Sequence, residues 1–102
     1  MVLLVDTNII LDVLLSRPEF VKDSSMIWKL CETEQAKGYL STLTSPAVLE
    51  RAVAMKWKDF EDAVQSATAE SVHADYIVTR NLKDFMKSKV IAFTPAELLA
   101  RI

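Results

Sequence analysis

Val2, Leu3, Leu4 and Val5 form an unbroken apolar run that closes at Asp6. Four residues are too few for a helix, and a run without alternation fits a strand covered on both faces. The pattern then turns helical. Asp6 or Thr7 offers an oxygen cap for a helix through Leu15, and Arg17-Pro18 breaks it. A second helix is expected over 20–37, with Phe20, Ser24, Ile27, Leu30 and Cys31 on one face and Gly38 at its C-terminal stop. A weaker strand is expected at 39–42. Ser45-Pro46 opens a third helix, serine as cap and proline at the first helical position, where its missing N–H costs nothing. Over 57–73, Phe60, Ala63, Val64 and Ala67 recur at the spacing of an amphipathic helix. Strands are expected at 76–79 and 90–93. Thr94-Pro95-Ala96-Glu97 is a capping box ahead of a last short helix.

Strands separated by helices imply an α/β domain, a three-layer α/β/α sandwich around a four-stranded parallel sheet. No repeat, low-complexity tract or linker interrupts it, so residues 1–102 are expected to form one domain. Right-handed crossovers allow the order 2-1-3-4, with strands one and three neighbours where the winding reverses. The working crevice of an open parallel sheet lies beyond the carboxyl ends of its strands at that point. Asp6 follows the first strand and Thr79-Arg80-Asn81 the third, so Asp6 and Asn81 are expected to face each other there.

Composition narrows the chemistry. With 51% apolar and 25% charged residues, the chain has the profile of a folded domain. Cys31 is the only cysteine, which excludes an intramolecular disulfide and a thiolate zinc site and suits a reducing cytoplasmic compartment. The apolar start looks like a signal-peptide core only superficially, since no basic residue precedes it and Asp6 ends it; no apolar run approaches a membrane span. A net charge of -2 argues against a broad basic surface for nucleic acid, so a polyanionic substrate would need metal ions for local positive charge. His73 near a helix end, Cys31 on an apolar stripe, and Trp28 and Trp57 all have ordinary packing or dipole explanations.

Two more acids can reach the crevice, Glu50 after strand two and Asp62 on the helix before strand three. On position alone Asp62 is a complement to a helix N-terminus and Glu50 a solvated surface acid. Asp6 is different: a carboxylate abutting a doubly covered strand sits at the rim of the core, where leaving it unpaired is costly.

The opening Val2-Leu3-Leu4-Val5-Asp6-Thr7-Asn8-Ile9-Ile10-Leu11-Asp12 resembles that of PIN domains, in which a strand ends in Asp-Thr-Asn. Asp59-Phe60-Glu61-Asp62-Ala63, Ala67-Thr68-Ala69, and the run from Ala74 through Thr79-Arg80-Asn81-Leu82-Lys83-Asp84-Phe85 resemble the second half of that family. The resemblance implies a metal-dependent ribonuclease. Asp6 fits the first acidic ligand, Glu50 the second through Thr44-Ser45-Pro46-Ala47-Val48-Leu49-Glu50, and Asp62 the third. Asn81 takes the fourth position, often Asp in the family, with Asp84 close behind as a substitute ligand. It also implies Mg²⁺ or Mn²⁺ as cofactor and RNA as substrate, and, because the family includes toxins of toxin–antitoxin pairs, a small antitoxin as partner.

Only residues 51–58 separate Glu50 from the Asp59 block, where PIN domains usually carry further helices and an edge strand. That shortening implies a sheet lacking one edge strand and a homodimer through 45–58. The alternative function is a catalytically weak or inactive PIN-like binding or dimerisation module. A receiver-like domain ranks last, because no lysine directly ends a strand.

Overall fold

In a computed structural model, which describes residues 1–40 and 45–102, β1 (Val2–Val5) is followed by α1 (Thr7–Leu14), α2 (Val21–Glu32), β2 (Lys37–Tyr39), α3 (Pro46–Met55) and α4 (Phe60–Ser71). Then come β3 (Tyr76–Val78), a 3₁₀ turn (Leu82–Phe85), β4 (Ala92–Phe93) and α5 (Pro95–Leu99). The strands form one parallel sheet in the order β2-β1-β3-β4.

Alternation along β1 builds the layers. Leu3 and Val5 point to one face, where they join Ile9, Ile27, Val78, Phe93 and Leu98 beneath α1, α2 and α5. Leu4 points to the other, with Ile77, Ala69 and Phe85 beneath α4 and the 3₁₀ turn. β1 is therefore apolar throughout because both its faces are covered. α3 packs on α4 through Val48 and Ala52 against Ala63 and Ala67, small side chains that let the two helices approach closely.

The second helix and strand differ from expectation. α2 ends at Glu32 rather than near Lys37: the Thr33 hydroxyl donates to the Lys29 carbonyl at 2.8 Å, and Glu34 turns into the left-handed region at φ 61°. Gly38 is not a helix stop. It sits inside β2, paired with Leu3, and a β-carbon there would lie 2.6 Å from Cys31 Sγ, so the close approach of α2 to the edge strand requires the missing side chain. Of the strand expected over 39–42, Tyr39 belongs to β2, Leu40 follows it, and Ser41 and Thr42 lie outside the described residues. β4 is confined to two residues; ahead of it the Val90 N–H turns to Ser88 Oγ at 3.1 Å, and the Ile91 carbonyl still accepts from the Ile77 N–H at 2.9 Å.

The helix starts follow the capping chemistry read from sequence. Ser45 Oγ accepts from the Val48 N–H at α3, and Asp59 caps α4 by accepting from the Asp62 N–H. Thr94 and Glu97 form a reciprocal capping box at α5, and those bonds hold the Glu97 carboxyl below its usual range. No helix among the described residues is long and apolar enough to cross a membrane.

Candidate active site at the carboxyl edge of the sheet

The register of the two central strands assembles the site. Val5 pairs with Val78, so the next residue of each strand, Asp6 and Thr79, emerges side by side at the carboxyl edge. Asp6 donates its backbone N–H to the Val78 carbonyl at 2.9 Å, extending the ladder by one step. Its side chain then serves two partners. Oδ2 accepts from the Thr79 hydroxyl at 2.8 Å, and Oδ1 accepts from the Asn8 N–H at 3.1 Å, capping α1. Asp6 is thus 4% exposed with both carboxylate oxygens engaged, which is how a charge is kept at the rim of the core. The cap and the crevice position belong to the same side chain.

Asn81 is tied to this arrangement through the same hydroxyl, donating its backbone N–H to Thr79 Oγ1 at 3.1 Å, while the residue itself is exposed. The expected facing of Asp6 and Asn81 therefore takes the form of a relay through Thr79.

Asp62, in the first turn of α4, is half-buried. Burial, then the neighbouring charges of Asp59, Asp84, Asp6 and Glu61, push its carboxyl from the ordinary 3.8 up to about 6. Asp6 and Asp84 therefore each lie near enough to Asp62 to act on its charge. Asp84 lies exposed in the 3₁₀ turn and its N–H donates to the Asn81 carbonyl at 3.0 Å.

Glu50 is not part of this group. Val48 and Ala52 face α4, which turns Glu50, two positions from each, to the opposite side of α3; it is exposed and absent from the charges acting on Asp62. The expected convergence of Asp6, Glu50 and Asp62 is replaced by a grouping of Asp62 with Asp6, Asp59 and Asp84. Among the described residues no three of His, Cys, Asp and Glu stand close enough together to hold one ion among them. The donors are nonetheless all oxygen, the set that hard dications take, and Mg²⁺ is commonly held by one or two carboxylates with waters and substrate phosphate completing its shell. Asp6 and Asp62, two carboxylates with Asp84 as a further charge near Asp62, fit an ion of that kind.

A second polar network lies directly behind the site. Asp12, fully buried on α1, accepts from Ser24 Oγ at 3.0 Å and from Arg17 at 3.3 Å, and its Oδ2 lies 3.0 Å from Arg80 Nε. The Arg80 contact is an ion pair off the hydrogen-bond line, since Nε has no hydrogen-bond partner. The Arg80 guanidinium also lies 3.9 Å from the centre of the Phe20 ring. Arg80 is thereby occupied by Asp12 and Phe20, and the loop bearing Thr79 and Asn81 is anchored to α1 and α2. A lone acid inside the apolar stretch 9–15 is the sequence signal for this buried charge.

Beside the acids opens a cleft of about 690 Å³ lined by Asp59, Asp62 and Asp84 together with Lys56, Lys58, Lys83 and Lys87, with Trp57 and Met86 completing the wall. Trp57 packs edge-on against Phe85 at 6.2 Å, joining the two segments that form the cleft.

The family model of the PIN domain matches residues 42–83. Over that stretch the chain is similar to a PIN domain. The matched stretch contains Glu50, Asp62, Thr79 and Asn81 and runs through the short 51–58 connection; Asp6 and Asp84 fall outside it. The PIN domain defines a family of nucleases, and the parallel sheet in the order 2-1-3-4 is consistent with its α/β fold. No curated protein and no solved structure matches the chain.

Proposed function

We propose that this chain is a divalent-metal-dependent endoribonuclease of the PIN type, with Asp6 and Asp62 as its metal-holding carboxylates, Asp84 as a further charge beside Asp62, and Asn81 in the fourth family position. The observation that carries the reading is Asp62 half-buried at the switch point, its carboxyl lifted to about 6 by burial first and by the neighbouring acids second, in a segment that matches the family. Such clusters are costly without a cation. A bound Mg²⁺ or Mn²⁺ would supply an activated water and neutralise charge on a phosphodiester. The chain's own part is to fix Asp6 through Thr79 and Asn8, to hold Asp62 half-buried beside it, and to keep the Asn81 backbone against Thr79. The deciding experiment compares wild type and Asp6→Asn on RNA with Mn²⁺ and with chelator. Cleavage that needs Mn²⁺ and disappears in the variant supports the reading; cleavage by both proteins, or by neither, overturns it.

The second reading is a PIN-like binding or dimerisation module with little turnover. It is favoured by Glu50 facing away from the site and by Asn81 where the family often has a carboxylate. Under either reading we place the protein in the cytoplasm and propose a homodimer through 45–58, since α3 carries Leu49 and Val53 exposed on the side not covered by α4. Light scattering tests the dimer, a concentration-independent monomer mass excluding it. The toxin role rests on resemblance, and a co-purifying small antitoxin that suppresses cleavage is the observation it requires.

A further inference from the structure

The formal charge of -2 conceals a local concentration of positive charge. Four of the chain's lysines, Lys56, Lys58, Lys83 and Lys87, line the cleft that contains Asp62 and Asp84. They come from two short segments far apart in sequence: the α3–α4 connection, where Lys56 ends α3 in the left-handed region at φ 56°, and the chain around the 3₁₀ turn. The Trp57–Phe85 contact holds these segments together, so the lysines are brought into one cleft by packing.

All four are exposed, and among the described residues none makes an ion pair. Among the described residues the ion pairs are made by Arg17, Arg51 and Arg80 and none by a lysine, although three carboxylates line the same cleft. Four ammonium groups free of carboxylate partners beside an acidic centre are an arrangement suited to an extended polyanion, whose phosphates they contact as point charges. The exposed Met86 and the partly exposed Trp57 add apolar wall against which unpaired bases can lie.

We infer that Lys56, Lys58, Lys83 and Lys87 form the track that grips the phosphate backbone of a single-stranded polynucleotide and lays it across Asp62. Contacts of this kind fix position and carry no base information, so binding along the track is tolerant of sequence. The track is the substrate-binding surface of the proposed nuclease and rests on that reading for the outcome of binding, but binding itself is tested without cleavage.

The test measures anisotropy of a fluorescein-labelled single-stranded RNA of mixed sequence, in chelator, over a series of salt concentrations. It compares wild type, Lys58→Gln/Lys83→Gln/Lys87→Gln, and a charge-matched control, Lys22→Gln/Lys29→Gln/Lys37→Gln, none of whose lysines lines the cleft. Melting curves first confirm that each variant folds. The cleft variant should bind about tenfold or more weakly at low salt, and its log–log salt slope should be shallower by roughly two, at about 0.7 for each phosphate that a lysine no longer neutralises. The control should stay within about twofold of wild type. Equal losses in both triple variants, an unchanged slope, no binding by wild type, or tighter binding of the same sequence as a duplex would each overturn the inference. Because no metal is present, inactivity of Asp6→Asn, or of the wild type, leaves this result standing on its own.

Discussion

The Thr79 hydroxyl donates to Asp6 Oδ2 at 2.8 Å across the seam between β1 and β3, joining residues 73 positions apart in sequence. The same oxygen accepts the Asn81 N–H, so one threonine orients both a buried carboxylate and the loop beyond β3.

Thr79→Val keeps the shape and removes both roles. Asp6 then loses a charge-assisted bond while nearly buried, and the variant should be less stable by about 1.5–3 kcal/mol. Thr79→Ser, which keeps the hydroxyl, should recover most of that loss. Urea unfolding of the three proteins at neutral pH decides it; equal losses for Val and Ser would assign the effect to packing of the methyl group.

At the sheet edge, Gly38 and Cys31 compete for one volume. Gly38→Ala places a β-carbon 2.6 Å from Cys31 Sγ and should destabilise by roughly 1–3 kcal/mol. In a Cys31→Ala background the nearest remaining Cys31 atom is the β-carbon at 3.4 Å, and the same substitution should be close to neutral. Additive costs in the double mutant would show that the two positions do not share the clash.

The two central strands and Asp6 are readable from sequence because an unbroken apolar run closed by an acid has few structural meanings. Thr79 can be placed at a strand end, but its bond to Asp6 depends on the Val5–Val78 register, which no local pattern specifies. Gly38 reads wrongly as a helix stop because it follows a helical stretch, whereas here tertiary contact with Cys31 demands it. Glu50 matches a motif by order along the chain, yet which way it faces is set by the α3–α4 contact. The lysine-lined cleft is hidden for the same reason: its two halves meet only through Trp57 and Phe85.

Asp12 should behave as a buried charge with essential partners. Arg17, Arg80 and Ser24 all converge on its carboxylate, so Asp12→Asn leaves two partly exposed guanidiniums facing a neutral group. The expected loss is about 3 kcal/mol, at the low end for a broken buried pair because water reaches both arginines. Arg80→Met should also destabilise, and adding it to Asp12→Asn should cost less than the sum of the singles. Strict additivity in that cycle would show that Arg80 and Asp12 do not stabilise one another.

Asp62 gives the site a pH signature in the absence of metal. Its folded-state carboxyl titrates near 6, above the ordinary 3.8, so the folded protein holds this proton more tightly than the unfolded chain. Stability from this group is therefore fully present below 3.8, declines as pH rises towards about 6, and stays lost above that. Asp62→Asn removes the group that must ionise beside Asp59, Asp84 and Asp6, and in chelator it should be more stable than wild type at pH 7 and nearly equal to it at pH 4. A dication that binds the acids opposes the same repulsion, so Mn²⁺ should raise the wild-type melting temperature at pH 7 by mass action and leave that of Asp62→Asn almost unchanged. Melting curves at the two pH values, with Mn²⁺ and with chelator, check both halves. A variant destabilised at pH 7 in chelator would make Asp62 a structural acid, and an equal Mn²⁺ response in both proteins would move the metal away from it.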